Sequence, residues 1–169
     1  RSYTPADAPK EALAALHDRL GVDRAVIVQA SCHGTDNRAM LDAIAWRPDA
    51  YRGVAIVDDS FDEKALQQLD DGGVRGVRFN FVRHLGGAPD MAVFDRVIAR
   101  IKALGWHVVL HLDAADIEPL SGMIRALPVP FVIDHMGRVD TSLGTDQPAF
   151  RALLAMAERD NCWVKVCGS

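Results

Sequence analysis

The chain has 169 residues, 49% of them hydrophobic and 25% charged, enough apolar material to bury one substantial core without disulfide or metal staples. Its formal net charge of -4 excludes the concentrated basic face that nucleic acid or an anionic membrane surface demands, and favours a small-molecule partner. Three cysteines, Cys32, Cys162 and Cys167, are odd in number and lack zinc-ligand spacing, which points to reduced thiols in a cytoplasmic protein.

In chain order, the amphipathic stretch 10–21 predicts a helix ending at Gly21, and the apolar run 24–31 predicts a first strand. The same alternation then repeats. Helices are expected at 36–46, 62–73, 91–105, 117–128 and 147–160, with Asp36, Ser60 and Asp116 near their starts and Gly72 and Gly105 at two of their ends. Between them, strands are expected at 52–58, 74–81, 107–113, 130–137 and 162–168, nearly continuous in apolar character as buried parallel strands are. No apolar run reaches the roughly 18 residues of a membrane span, and the opening RSYTPADAPK has none of the regions of a signal peptide.

Strict β-α alternation with right-handed crossovers leaves two architectures, a closed barrel or an open doubly wound sheet. Nothing resembling a linker divides the chain, so 1–169 is read as a single domain. A closed eight-stranded barrel needs roughly 200 residues or more. The barrel reading therefore expects these to be strands 2–7 of a distorted (β/α)8 TIM barrel, with a first strand before Arg1 and a last one after Ser169.

Alternate side chains of a barrel strand point inward, and the last inward ones face the active site. Residues of matching parity near the strand ends are Gln29 and Ser31, Asp58, Arg78 and Asn80, His111 and Asp113, His135, and Lys165. All are polar. Their opposite-parity neighbours, such as Val28, Val57, Val77 and Leu110, suit packing against outer helices, and Asp134 alone breaks the pattern, as a loop brace would. Buried polar groups are costly unless bonded or functional, so this convergence predicts a site.

His17 lies among charged helix residues and is expected to be solvated, His107 opens its strand at the far end and is expected to be structural, and His33 and His84 sit on loops where either role fits. His111 and His135, at the ends of consecutive strands, are the candidate catalytic pair. Arg78 is expected to be buried and to need an anion, either a structural Asp or a substrate carboxylate, with the substrate favoured. Arg138 follows DHMG and is within reach of the mouth, Arg75 and Arg83 are placed at the rim, and Lys165 serves either the site or an ion pair with Asp58. Cys32 and His33 are adjacent on extended chain and point apart, which argues against a nucleophilic dyad there, while Cys162 and Cys167 read as small core residues.

The segments QASCHGTDNRAMLDAI, GVRGVRFNFVRHLGG, GWHVVLHLDAAD, VPFVIDHMGRVD and WVKVCG, in that order, resemble the amidohydrolase superfamily. They are closest in kind to the branch of 2-pyrone-4,6-dicarboxylate lactonases and other sugar or muconolactone lactonases. The resemblance implies a soluble hydrolase of aromatic catabolism that opens a carboxylate-bearing lactone with activated water. It implies that His135 polarises the scissile carbonyl, that Arg78 holds a substrate carboxylate and that Ser31 contacts substrate, with His84, Asn80 and Arg138 completing the substrate-binding set. It also implies a branch that works without a cofactor, histidines standing in for a metal as electrophilic donors. Two departures stand out: the family's first-strand His-x-His pair and last-strand water-activating Asp have no counterpart in 1–169, and His84 occupies a position where an arginine is expected.

The alternatives are a zinc-dependent amidohydrolase or decarboxylase, with His111 and His135 as metal ligands, and a non-catalytic α/β ligand-binding domain. Open α/β sheets also bind ligands at strand C-terminal ends. The absence of GxGxxG or GxxxxGK[ST] after the first strand counts against a nucleotide.

Overall fold

A computed structural model describes residues 7–167. All six expected strands form, as β1 (Ala25–Val28), β2 (Tyr51–Ala55), β3 (Val74–Asn80), β4 (His107–His111), β5 (Phe131–Ile133) and β6 (Cys162–Val164). They make one sheet in the order β1-β2-β3-β4-β5-β6, with β1 and β2, β4 and β5, and β5 and β6 in parallel register. A doubly wound sheet reverses its order at a switch point, and this one follows the chain without reversal. That winding belongs to the barrel class.

The helices are α1 (Lys10–Leu20), α2 (Arg38–Trp46), α3 (Glu63–Asp71), α4 (Met91–Ala103), α5 (Ala114–Arg125) and α6 (Pro148–Ala157). Their limits reflect local chemistry. Asp62, not Ser60, caps α3 by accepting from Ala65 N at 2.8 Å, and Asp90 caps α4 from Ala92 N at 2.8 Å. Among the described residues no helix is long and apolar enough to cross a membrane. The strands end earlier than their apolar runs suggest because the chain leaves the ladder, for a 3-10 turn at Ser31–His33 after β1 and for an irregular turn at Asp134–Arg138 after β5.

The chain divides into two compact units, Arg1–Gly76 and Val77–Ser169. In the first, α2 lies close enough on β2 that a Cβ at Gly53 would meet Ile44 Cδ1 at 2.8 Å, so only glycine fits there without a shift. Asn37 ties the two elements polar-wise, donating to Ile56 O at 2.9 Å and accepting from Ile56 N at 3.2 Å. Gln29 spends its amide on Gly34 O and Asp36 O, which braces the loop after β1. His17 is half-buried, its Nδ1 2.7 Å from the hydroxyl of the fully buried Tyr51; the solvated role expected for it is wrong because the helix turns this face onto β2. Asp58 accepts from Ser60 N and Oγ and shapes a turn, while Lys165 takes Asp134 as its anion, so of its two expected roles the ion pair with Asp58 is not the one formed.

The second unit packs α4 through Phe94, edge-on to Phe79 and Phe81 at centroid distances of 4.8 and 6.0 Å. Its core of Trp106, Leu110, Phe131 and Ile133 is fully buried beneath α4, α5 and α6. Burial of side chains of this size contributes roughly 1.5–3 kcal/mol each, which fixes the strand ends that carry the polar groups.

Candidate active site

β5 is three residues long, and beyond Ile133 the chain enters an unusual backbone conformation. His135 (φ 50), Met136 (φ 52), Gly137 (φ 62) and Arg138 (φ 50) all adopt left-handed conformations. Each non-glycine residue there costs roughly 1–2 kcal/mol, so neighbours must hold the turn. Met136 N donates to Lys165 O at 3.1 Å and His135 N to Asp134 Oδ1 at 3.1 Å. Gly137 lies against Ile117, where a Cβ would come within 2.7 Å of Cδ1. Strain of this kind concentrates where side chains must be aimed for function.

Asp134 is the anion at the centre, 0% exposed. Its carboxylate lies 3.0 Å from Lys165 Nζ, 3.0 Å from Arg78 Nη2 and 3.5 Å from His135 Nε2. Burial works to raise its pKa, but the hydrogen bond from Lys165 and the charge of Arg78 outweigh burial and leave it below the usual carboxylate value. The Arg78 pair is close but off-axis: Asp134 Oδ2 and Arg78 Nε are both buried without a directed hydrogen bond.

Arg78, 8% exposed, also reaches His111, which is 5% exposed, with Nη2 2.8 Å from Nδ1. Asn80 Oδ1 stands 3.0 Å from the same nitrogen. A guanidinium only donates, whereas an amide can turn its NH2 in place of its oxygen, so the arrangement without repulsion has Nδ1 accepting. Burial first, and the Arg78 charge second, lower the His111 pKa to about 4, so the ring is neutral. Its proton is therefore on Nε2, which is buried with no hydrogen-bond partner among the described residues.

His111 and His135 stand with ring centroids 5.0 Å apart and line one cavity of about 780 Å³. Val139, Phe150, Leu153 and Val164 supply apolar walls, and Arg138 and Cys167 add polar ones. Arg138 Nε donates to Asp113 Oδ1 at 2.7 Å, an exposed pair that leaves the rest of its guanidinium available to an anion.

Of the residues expected to form the site, the structure gathers His111, His135, Arg78 and Asn80 into one contact network and sets Arg138 on the cavity wall. Arg78 takes the structural aspartate as its partner, the alternative less favoured from sequence, because Asp134 needs a buried cation more than the cavity does. His84 is exposed on the turn Arg83–Leu85, and Ser31 stands in the first unit at the start of its own turn. The expectation missed Asp134 as a site residue and treated Cys167 as core filling. Cys167 Sγ is 3.0 Å from His135 Nδ1. Its parity with Lys165, two residues earlier on the same run, was the available signal.

A catalytic metal would need the Nε2 lone pair of His111, which the Arg78 contact converts into an N–H. Among the described residues no three His, Cys, Asp or Glu side chains gather in a metal-holding group. Among the described residues, the donors do not make up a metal site.

Residues 1–169 match the family described as Amidohydrolase. The chain is 48% identical over 167 residues to a 2-pyrone-4,6-dicarboxylate hydrolase of Comamonas testosteroni, covering 98% of this chain and 55% of that protein. It is 36% identical over 170 residues to a 4-sulfomuconolactone hydrolase of Rhizobium radiobacter, covering 100% and 57%. A crystal structure described as a 2-pyrone-4,6-dicarboxylic acid hydrolase from Pseudomonas putida matches with a TM-score of 0.89 at 37% identity, covering 99% of this chain and 62% of that one. The chain spans little more than half the length of the two curated relatives.

Proposed function

The chain belongs to the amidohydrolase family along residues 1–169, and we propose that it forms the greater part of the active site of a hydrolase that opens a carboxylate-bearing lactone such as 2-pyrone-4,6-dicarboxylate. The similar proteins named above act on a pyrone dicarboxylate and a sulfomuconolactone, both cyclic esters that carry strong anionic groups. A cavity lined by apolar side chains, two histidines and an arginine suits a flat ring with an acidic substituent.

One observation carries the reading: the orphaned Nε2–H of His111. A buried donor without a partner is unfavourable by about 1–3 kcal/mol unless a ligand supplies the acceptor. A lactone carbonyl supplies one, and the bond strengthens as negative charge develops on that oxygen during attack by water. His135, which lines the same cavity, is the second polarising group, and burial lowers its pKa. Arg138 takes the substrate's anionic group, Arg78 and Asn80 hold His111 in its working tautomer, and His84 remains assigned to a substrate contact. Asp134 is unsuited to activate water, being wholly buried and held by two cations. That base is assigned to none of the described residues.

The reaction is proposed to run without a metal or other cofactor, in the cytoplasm, on a small-molecule substrate. The test is hydrolysis of a panel of carboxylated lactones by the intact protein and by His111→Phe and Arg138→Met variants. Removing the donor lowers kcat by about 10²–10³, and removing the arginine raises KM in proportion to the substrate's charge. Unchanged kcat in His111→Phe defeats the mechanism. A folded wild-type protein that turns over no lactone defeats the function.

A further inference from the structure

The cavity holds a thiol that lactone hydrolysis by water does not use. Cys167 Sγ lies 3.0 Å from His135 Nδ1, and Asp134 Oδ2 lies 3.5 Å from Nε2 of the same ring. An aspartate on that side favours the proton at Nε2, which leaves the Nδ1 lone pair facing the sulfur. Thiol, imidazole and carboxylate are the groups that activate cysteine in acyl-transfer enzymes, here with the carboxylate acting on the ring by its charge and not by a directed hydrogen bond. His111, whose Nε2–H is buried and without a partner among the described residues, lines the same cavity with its ring 5.0 Å from that of His135.

We propose that Cys167 is a nucleophilic thiol, with His135 as its base, that captures activated carboxylic esters entering the cavity. Nδ1 of His135 takes the thiol proton as Sγ bonds the acyl carbon, and His111 Nε2–H receives the carbonyl oxygen. The C–O bond to the leaving alcohol then breaks, the alcohol departs with the proton from His135, and a thioester remains on Cys167. Water later releases the acid and restores the thiol, so no oxidant or reductant is consumed. The other two thiols lack these surroundings: Cys32 is exposed, and Cys162 is buried with its pKa raised by that burial.

This capture shares the cavity with lactone hydrolysis and does not depend on it, so the two are tested apart. The intact protein is treated with p-nitrophenyl acetate at neutral pH, and acetylation of Cys167 and of Cys32 is followed by peptide mass spectrometry. In native protein Cys167 is expected to react about 10²-fold faster than Cys32, the low end of what a positioned base contributes. The ratio is expected to collapse in His135→Asn and in urea-unfolded wild type. Equal rates at the two cysteines in native protein overturn the proposal, as does a preference that survives in folded His135→Asn. Should that variant fail to fold, the wild type decides: a preference for Cys167 that persists in urea overturns it, and one confined to the native state upholds it.

Discussion

The proton on His111 is placed by a neighbour that can only donate, and this governs stability as well as chemistry. Its folded pKa is pushed from 6.5 to about 4, so between these values the unfolded chain binds a proton that the folded chain refuses. Stability is fully present above pH 6.5 and falls as pH drops toward 4, by roughly 3 kcal/mol for the 2.5-unit difference. Denaturant unfolding at several pH values, compared with His111→Gln, is expected to show this loss in the wild type and not in the variant. Equal pH slopes would disprove the assignment of a buried neutral ring. Arg78 gives the complementary case. Arg78→Met leaves Asp134 buried with Lys165 as its remaining full cation, and is expected to lower stability by about 3 kcal/mol. Asp134→Asn in the same background is expected to recover part of that in urea titration. Most of these residues were legible in the sequence, because strand parity singles out Arg78, Asn80, His111 and Lys165. Asp134 was not, since parity holds only while the strand lasts and β5 stops at Ile133. Its tell was the buried Arg78, which requires an anion near it.

At the level of elements, helices and strands were recoverable because each apolar run matches its period, and the errors cluster where the chain leaves a strand. The run 130–137 reads as one strand by composition, yet its last residues form a left-handed turn. Local propensity cannot show this, because His135 and Met136 take left-handed backbone only when Lys165 O, Asp134 and Ile117 hold them there. Gly137 is the joint on which that turn depends, since a side chain there meets both positive φ and the Ile117 methyl at 2.7 Å. Gly137→Ala therefore combines a backbone penalty of about 1 kcal/mol or more with overpacking of about 1–3 kcal/mol. The expected loss is roughly 2–4 kcal/mol in denaturant unfolding. Because the turn aims His135, kcat for lactone hydrolysis is expected to fall further than stability alone explains under conditions where the variant remains folded. A Gly137→Ala protein as stable and as active as wild type would show that the turn is not held as described.

Across the whole chain, the order of strands carries the most information. Composition and periodicity left a barrel and a doubly wound sheet equally open, and sheet order, a tertiary property, separates them. Family membership then places the polar strand ends among hydrolases, some of which use metals, and the choice between the two chemistries returns to His111. A metal ligand there must offer Nε2 as a lone pair with its proton on Nδ1, but Nδ1 faces Arg78 Nη2 at 2.8 Å, where a second N–H would meet a fixed cation. Reversing that tautomer sacrifices the Arg78 contact and adds like-charge repulsion to any divalent ion bound beside it. Purified intact protein is therefore expected to contain far less than one equivalent of zinc, manganese or iron by elemental analysis, and to keep its lactone turnover after dialysis against chelator. A stoichiometric metal whose removal abolishes turnover, and whose return restores it, would instead put the proton on Nδ1 and turn Arg78 away from His111.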